Sequence, residues 1–295
     1  DKLYEEFKPK EGEVVSGSVH RFVERSIIVD LGKTEGVLPP REQIRRERYN
    51  IGGNVRADIL RVDKSQRGPA VVLSRAADLF LQRLMEMEVP EIADKTVEIV
   101  RIVRDPGFRA KVIVKSNDPR VDAIGSCVGL RGSRIRSIMN EVAGERIDLI
   151  AFAEGVEESL AAALAPAKVS SVQVMDPEHR IAEVLVAEEQ LALAIGKDGQ
   201  NVRLAQKLTG WTLEVKAEPA KPKAAAASGA DASLATLEGV GPKTHETLVK
   251  AGITDAAKLA ECTVESLTAL SGIGEKTAAK IIANAKATSQ EKAKA

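Results

Sequence analysis

The sequence predicts a multidomain α+β protein: a small β-barrel, two related α/β units and a C-terminal all-α pair of helical hairpins. Three observations lead there. Residues 11–75 carry short alternating apolar runs broken by glycine. Two later stretches repeat one order of helical and alternating patterns around a Gly-x-x-Gly turn, and a last segment repeats Gly-x-Gly ahead of apolar helical runs.

Residues 1–76 form the expected barrel, with strands read from GEVVSGSVHRF, SIIVDLGKTEGVLP, GGNVRADILRVD and GPAVVLSR. The spacing of Val15-Ser16-Gly17, Asp30-Leu31-Gly32 and Gly36-Val37-Leu38-Pro39 resembles the OB-fold RNA-binding domain of ribosomal protein S-one. His20 and Phe22 are its candidate RNA-facing rings, since stacking needs an exposed ring; packing at the barrel edge is the alternative. Arg41, Arg45, Arg46 and Arg48 either contact phosphate or form a solvated charged face.

Residues 77–153 begin with helical spacing over Leu79–Glu88, which Pro90 forbids from continuing, with Met85 and Met87 as fillers of core or interdomain gaps. Thr96–Val103 and Phe108–Val114 alternate as strands around Asp105-Pro106-Gly107. Then come Val121–Val128, the turn Gly129-Leu130-Arg131-Gly132, a helix over Ser133–Val142 and a strand over Arg146–Phe152. Residues 154–217 repeat the order: a helix over Gly155–Leu164, strands Val169–Met175 and Arg180–Val186, a helix over Glu188–Ile195, the turn Gly196-Lys197-Asp198-Gly199, then Asn201–Leu208 and Trp211–Val215. His179 falls in a hairpin turn, and Trp211 belongs to core or interface. This is the element order of a type II KH domain, twice.

A Gly-x-x-Gly turn between two helices lets bare backbone approach a polyanion, and KH domains use it to clamp about four nucleotides of a single strand. Arg131 and Lys197 are placed to project over phosphates, with Arg134, Arg136 and Arg203 at the start of the following helices. The candidate RNA-binding set is therefore Gly129, Leu130, Arg131, Gly132, Arg134, Ile135 and Arg136, then Gly196, Lys197, Asp198, Gly199, Asn201 and Arg203, with His20 and Phe22 on the barrel. Ile124, Val128, Ile135 and Ile138 in one unit, and Leu193, Ile195, Val202 and Ala205 in the other, are candidate groove walls that would equally be core in a protein binding nothing. Asp198 sets a carboxylate beside the phosphate path, unless it is a solvent-facing helix cap. The barrel and first unit carry small basic excesses while the second is mildly acidic, which puts the primary electrostatic grip on the former pair.

Residues 218–232, rich in Ala, Pro and Lys without periodicity, read as a flexible linker. Residues 233–288 hold Leu237-Glu238-Gly239-Val240-Gly241-Pro242 and Leu270-Ser271-Gly272-Ile273-Gly274-Glu275, each ahead of an apolar-spaced helix, and resemble a tandem helix-hairpin-helix. Lysines there are offset by carboxylates, so Gly239, Val240, Gly241, Gly272, Ile273 and Gly274 point to protein contact over DNA contact. Residues 289–295 are expected to be a disordered tail.

Only 3% of the 295 residues are aromatic and the net charge is zero, so any nucleic-acid footprint is local and built mainly from amides, aliphatics and cations. Cys127 and Cys262 lack CxxC partners, which indicates reduced thiols and neither disulfide nor metal; no cofactor is implied. No P-loop or assignable Ser-His-Asp set speaks for an enzyme. No apolar run is long enough for a membrane span and no signal peptide opens the chain, giving a cytoplasmic expectation. The start at Asp1, within a charged segment, is expected to mark a fragment lacking an upstream portion.

Longer stretches carry a family resemblance: VRDPGFRAKVIVKSND at Val103–Asp118, DAIGSCVGLRGSRI at Asp122–Ile135, GERIDLI at Gly144–Ile150 and LALAIGKDGQNVRLAQKLTGW at Leu191–Trp211. Together with the module order they resemble the NusA family of bacterial transcription elongation, termination and antitermination factors, without the N-terminal polymerase-binding domain. The resemblance implies a non-enzymatic regulator that rides on RNA polymerase, takes nascent single-stranded RNA over a barrel-KH-KH surface, and acts on pausing, termination and antitermination. It also implies C-terminal repeats that in some relatives bind the polymerase α subunit or other elongation and antitermination factors and mask the RNA surface. Two other classes stand beside it: the RNA-binding portion of an RNA-degrading enzyme, and a nucleic-acid scaffold contacting DNA through the helix-hairpin-helix pair.

Overall fold

A computed structural model describes residues 2–65, 68–219, 240–251, 253, 259, 262–268, 270 and 273–292. Within them residues up to 219 pack as one unit and the later ones as a second.

Five strands close the barrel: β1 (Val14–Val23), β2 (Ser26–Asp30), β3 (Glu35–Leu38), β4 (Asn54–Ser65) and β5 (Gly68–Ser74), in the order β1-β2-β3-β5-β4. The β3–β5 pairing is parallel and the others antiparallel, the topology of an OB-fold. Val19, Ile27, Val29, Leu38, Ile59, Val71 and Leu73 fill the interior. A short helix, α1 (Lys2–Phe7), precedes the barrel and was not legible in its charged sequence; it is held because Phe7 is buried in the barrel core with Leu3 and Tyr4 against it.

Helix α2 (Asp78–Glu88) buries Phe80, Leu81, Leu84 and Met85, whereas Met87 points outward, 62% exposed, and fills no gap. Val89 turns extended ahead of Pro90, and Pro90 then opens a second short helix, α3 (Pro90–Ala93), at a position where its missing N–H costs nothing. The first sheet consists of β6 (Val97–Asp105), β7 (Arg109–Ser116) and β8 (Arg146–Ala151), with β8 parallel to β7. Helices α4 (Ala123–Val128) and α5 (Ser133–Glu141) flank the Gly129 turn. Asp122 caps α4 by accepting from the Ile124 amide. The second unit repeats this with α6 (Val156–Ala163), β9 (Val169–Asp176), β10 (Ile181–Val186), α7 (Glu188–Ile195), α8 (Gln200–Thr209) and β11 (Thr212–Ala217), where β11 is parallel to β10. Two α/β units of type II KH order thus follow an OB-fold barrel.

The three modules share their cores. Ile44, from the loop between β3 and β4, is buried in the cluster of the first KH unit, and Ile150 of β8 is buried in that of the second. Buried ions fasten the same joints. Arg75, at the end of the barrel, donates to Glu47 at 2.7 and 2.8 Å and to the Glu141 carboxylate on α5 at 3.1 Å. Lys111 of β7 donates to Asp148 at 3.1 Å and reaches the Ala165 carbonyl of the second KH unit at 2.7 Å. Burial pulls the Lys111 ammonium down to about 8 against the opposing pull of Asp148.

In the second unit, α9 (Pro242–Lys250), α10 (Val264–Thr268) and α11 (Glu275–Lys292) enclose Leu248, Leu259, Leu267, Ile273, Ala278, Ile281 and Ile282. Residues 289–292, expected to be disordered, continue α11: Gln, Glu and Lys are good helix formers and nothing there breaks the turn. Linker residues 220–232 and tail residues 293–295 lie outside the described residues.

Candidate nucleic-acid interface

The two Gly-x-x-Gly turns have one backbone. Gly129 (φ 72, ψ 177) and Gly196 (φ 76, ψ 169) open them; Arg131 (φ 52, ψ 28) and Asp198 (φ 53, ψ 27) sit in the left-handed region; Gly132 (φ 75) and Gly199 (φ 70) close them. The opening glycines are fixed by close packing: a Cβ on Gly129 would lie 2.7 Å from Arg134 Cγ, and one on Gly196 would lie 2.8 Å from Asn201 Cβ and backbone N. Around the closing glycines the nearest atoms, on Ile135 and Val202, are 3.9 and 4.0 Å away, which leaves that backbone open to approach.

The shared geometry changes the pairing of side chains. Arg131 is matched by Asp198 at the left-handed position, and Lys197 by Leu130, which stands 84% exposed at the tip. Each turn thus offers one cation, at a different place. Arg136 donates to the Arg131 carbonyl at 2.7 Å and Arg203 to the Asp198 carbonyl at 3.3 Å, so the first residue of each pair braces its loop while remaining exposed. Asp198 makes no capping bond to α8, contrary to the cap reading: the N-cap position belongs to Gly199.

Two residues of the candidate RNA-binding set are engaged within the fold. Asn201 is fully buried, and its amide donates to the carbonyls of Leu164, Ala194 and Leu193 at 3.0, 2.9 and 3.3 Å. A side chain so enclosed ties α7, α8 and the end of α6 together and offers nothing to a ligand. Arg134 is half-buried, bonded to Glu91 at 2.9 Å and to the Ser126 carbonyl at 2.7 Å, and packs beneath Gly129. Among the groove walls, Ile138 and Ala205 are core; Ile124, Val128, Ile135, Ile195 and Val202 are half-buried and Leu193 is exposed. Helical spacing could not separate the two faces, because both are apolar.

On the barrel, His20 and Phe22 are both exposed and absent from its core. His20 is not alone there: its Nδ1 lies 2.9 Å from Glu35, which also accepts from Arg21 at 2.5 and 2.8 Å. The Arg21 guanidinium, with His20, holds the Glu35 carboxyl down at about 2. Three arginines of the run divide between two places, and Arg48 is exposed apart from them. Arg41 and Arg45 join Arg25, Glu47 and Asp105 around a cleft of about 730 Å³ at the junction with the first KH unit. Arg46 lines a groove of about 520 Å³ with Phe108, Arg109, Arg146, Leu193 and Lys197. Nothing in the sequence linked Arg46 or Phe108 to the second turn.

Cys127 is buried and its thiol pushed up to about 11 by that burial, which suits an inert core residue. No group of His, Cys, Asp or Glu among the described residues could hold a metal ion, and no described helix is long and apolar enough to cross a membrane. In the second unit Gly241 and Gly274 are exposed, whereas Val240 and Ile273 turn inward and anchor the hairpins; Gly239 and Gly272 lie outside the described residues.

Comparison with known families follows the modules. Residues 8–74 match the S1 RNA binding domain, 75–152 the NusA-like first KH domain, 156–223 the NusA-like second KH domain, and 231–287 the SAM-like helix-hairpin-helix tandem. Three relatives carry the name transcription termination/antitermination protein NusA. That of Halalkalibacterium halodurans is 44% identical over 216 residues, covering 73% of this chain and 56% of that protein. That of Thermus thermophilus is 44% identical over 214 residues, 72% of this chain and 55% of that protein. That of Rickettsia conorii is 32% identical over 286 residues, 95% of this chain and 57% of that protein. The chain therefore spans a little over half the length of these relatives. With barrel, paired KH units and helical hairpins in this order, and with identity of this extent, the chain belongs to the NusA family.

Proposed function

We propose that this chain is an RNA-binding transcription elongation factor of the cytoplasm. It takes nascent single-stranded RNA on the barrel and both KH units, associates with RNA polymerase, and acts on pausing, termination and antitermination by binding and not by catalysis. One observation carries the RNA reading: two turns whose backbones match at both glycines and at the left-handed residue between them, each closing on a glycine with open space before it. The names of the relatives support the transcriptional role. The helical hairpins, through the exposed Gly241 and Gly274, serve protein partners, other elongation or antitermination factors among them.

The test is binding of the full chain to a mixed-sequence single-stranded RNA and to a duplex of the same sequence. Single-strand preference with affinity that falls as salt rises is the expected result. Equal or absent binding at low salt removes the reading. Added to polymerase at a hairpin terminator, the chain is expected to change the fraction of transcripts that end there; an unchanged fraction removes the transcriptional part.

A further inference from the structure

The turn between β6 and β7 is gripped by all three modules of the first unit. Gly107 packs so closely on the barrel loop that a Cβ there would lie 2.7 Å from Ile44 Cγ2. Its amide donates to the Glu145 carboxylate at 2.9 Å. From the second KH unit, the Gln200 amide donates to Asp105 at 2.7 Å. The next residue on this pinned turn is Phe108, and it is left 43% exposed.

Phe108 stands in the 520 Å³ groove that begins at Gly196 and Lys197, on the side of the second turn that faces the barrel and first KH unit. The guanidinium of Arg46 lies 5.3 Å from the centre of its ring. Arg146 and Lys197, both exposed, line the same groove, and Leu193 supplies an apolar wall. Arg109 is engaged by Asp148 at 2.7 Å and is not counted among the available cations. A volume of this size lies within the roughly 300–1,000 Å³ of small-ligand sites and accommodates a nucleotide. A rigidly held, half-exposed ring with cations beside it is the combination that stacks a base and neutralises its phosphates, and it is independent of base identity.

We propose that Phe108, backed by Arg46, is a stacking seat for one base of the single-stranded RNA that crosses the Gly196–Gly199 turn, with Arg146 and Lys197 on the adjoining phosphates. The seat rests on the reading of these turns as RNA clamps and adds a contact to it. A strand passing over Gly196 toward the first KH unit meets the Phe108 ring in the groove it follows. The seat also assigns a role to the barrel loop: Arg46 brings the barrel to the RNA path of the second KH unit.

The experiment uses the full chain and a pool of twelve-nucleotide single-stranded RNAs carrying 2-aminopurine at one position. Phe108→Leu keeps an apolar side chain and removes the ring; Phe108→Tyr keeps the ring. The Leu variant is expected to bind at least about fivefold more weakly and to lose aminopurine quenching, while the Tyr variant retains both. A folded Leu variant with wild-type affinity and unchanged quenching overturns the seat. If the double variant Leu130→Asp, Arg131→Asp still loses RNA in that case, the clamp reading stands without it. If the wild-type chain binds none of these RNAs, clamp and seat fall together.

Discussion

The Arg104 guanidinium grips the Glu145 carboxylate through Nε and Nη2, each at 2.8 Å, and both side chains are sealed from solvent. Nη1 of Arg104 donates to the Ala77 carbonyl at 2.6 Å and to the Arg75 carbonyl at 3.1 Å. Removing either partner strands a buried charge. Arg104→Ala and Glu145→Gln are each expected to cost about 3–5 kcal/mol in urea unfolding, and Arg104→Met with Glu145→Leu to recover only part of it, because the Gly107 amide loses its acceptor and the Ala77 and Arg75 carbonyls lose a donor. Single variants as stable as the wild type would show the pair to be idle.

At the turns the exposed side chains can be exchanged without touching the core. Leu130→Asp, Arg131→Asp and Lys197→Asp combined are expected to weaken single-strand binding at least about tenfold at moderate salt and to flatten its salt dependence by about 0.7 for each phosphate that is no longer neutralised. Far-ultraviolet circular dichroism should not change. Unaltered affinity in a folded variant counts against both turns.

The glycines of each turn should separate by position. Gly129→Ala and Gly196→Ala meet both a left-handed backbone and a collision, at 2.7 and 2.8 Å, while Gly132→Ala and Gly199→Ala meet only the backbone. The closing pair is expected to lose about 1–2 kcal/mol of stability and the opening pair more. The reverse order in thermal or urea unfolding would contradict the packing.

Asp58, on β4, is fully buried and neither carboxylate oxygen has a hydrogen-bond partner. Burial, reinforced by the charge of Glu42, pushes its carboxyl up to about 6 from an ordinary 3.8. The folded state then holds this proton more tightly than the unfolded chain does. Its favourable contribution is complete below about 3.8 and is lost progressively from there as pH rises through about 6. Asp58→Asn is accordingly expected to gain on the wild type between pH 5 and pH 7.5, by about 1.4 kcal/mol, the worth of the one pKa unit between pH 5 and about 6. A stability difference that is the same at both pH values would refute the shift.

Much of this was written in local pattern. Alternation with glycine punctuation placed the barrel strands, and Asp105-Pro106-Gly107 marked the hairpin of the first KH unit. The glycines of the turns were legible because their reason is backbone. Side chains one residue further on were not, since the fate of Arg134 and Asn201 depends on Glu91, Leu164 and Leu193, which periodicity does not bring near. The same holds for α1, stabilised by a single buried Phe7, and for the junctions held by Arg75, Lys111 and Ile44. Long-range pairing of charged residues leaves no periodic trace, and in the sequence these residues read as surface.

Ile44, Arg75 and Lys111 lock barrel and KH units into one body, so on the proposed reading the RNA footholds of the first unit stand at fixed spacing. A jointed chain of modules could adjust to any spacing between the segments it holds. A stiff one fixes the contour length between its footholds, so a transcript with one nucleotide too many must bulge and one with too few must let go of an end. Selection among transcripts can then come from the interval between footholds as well as from the bases that occupy them.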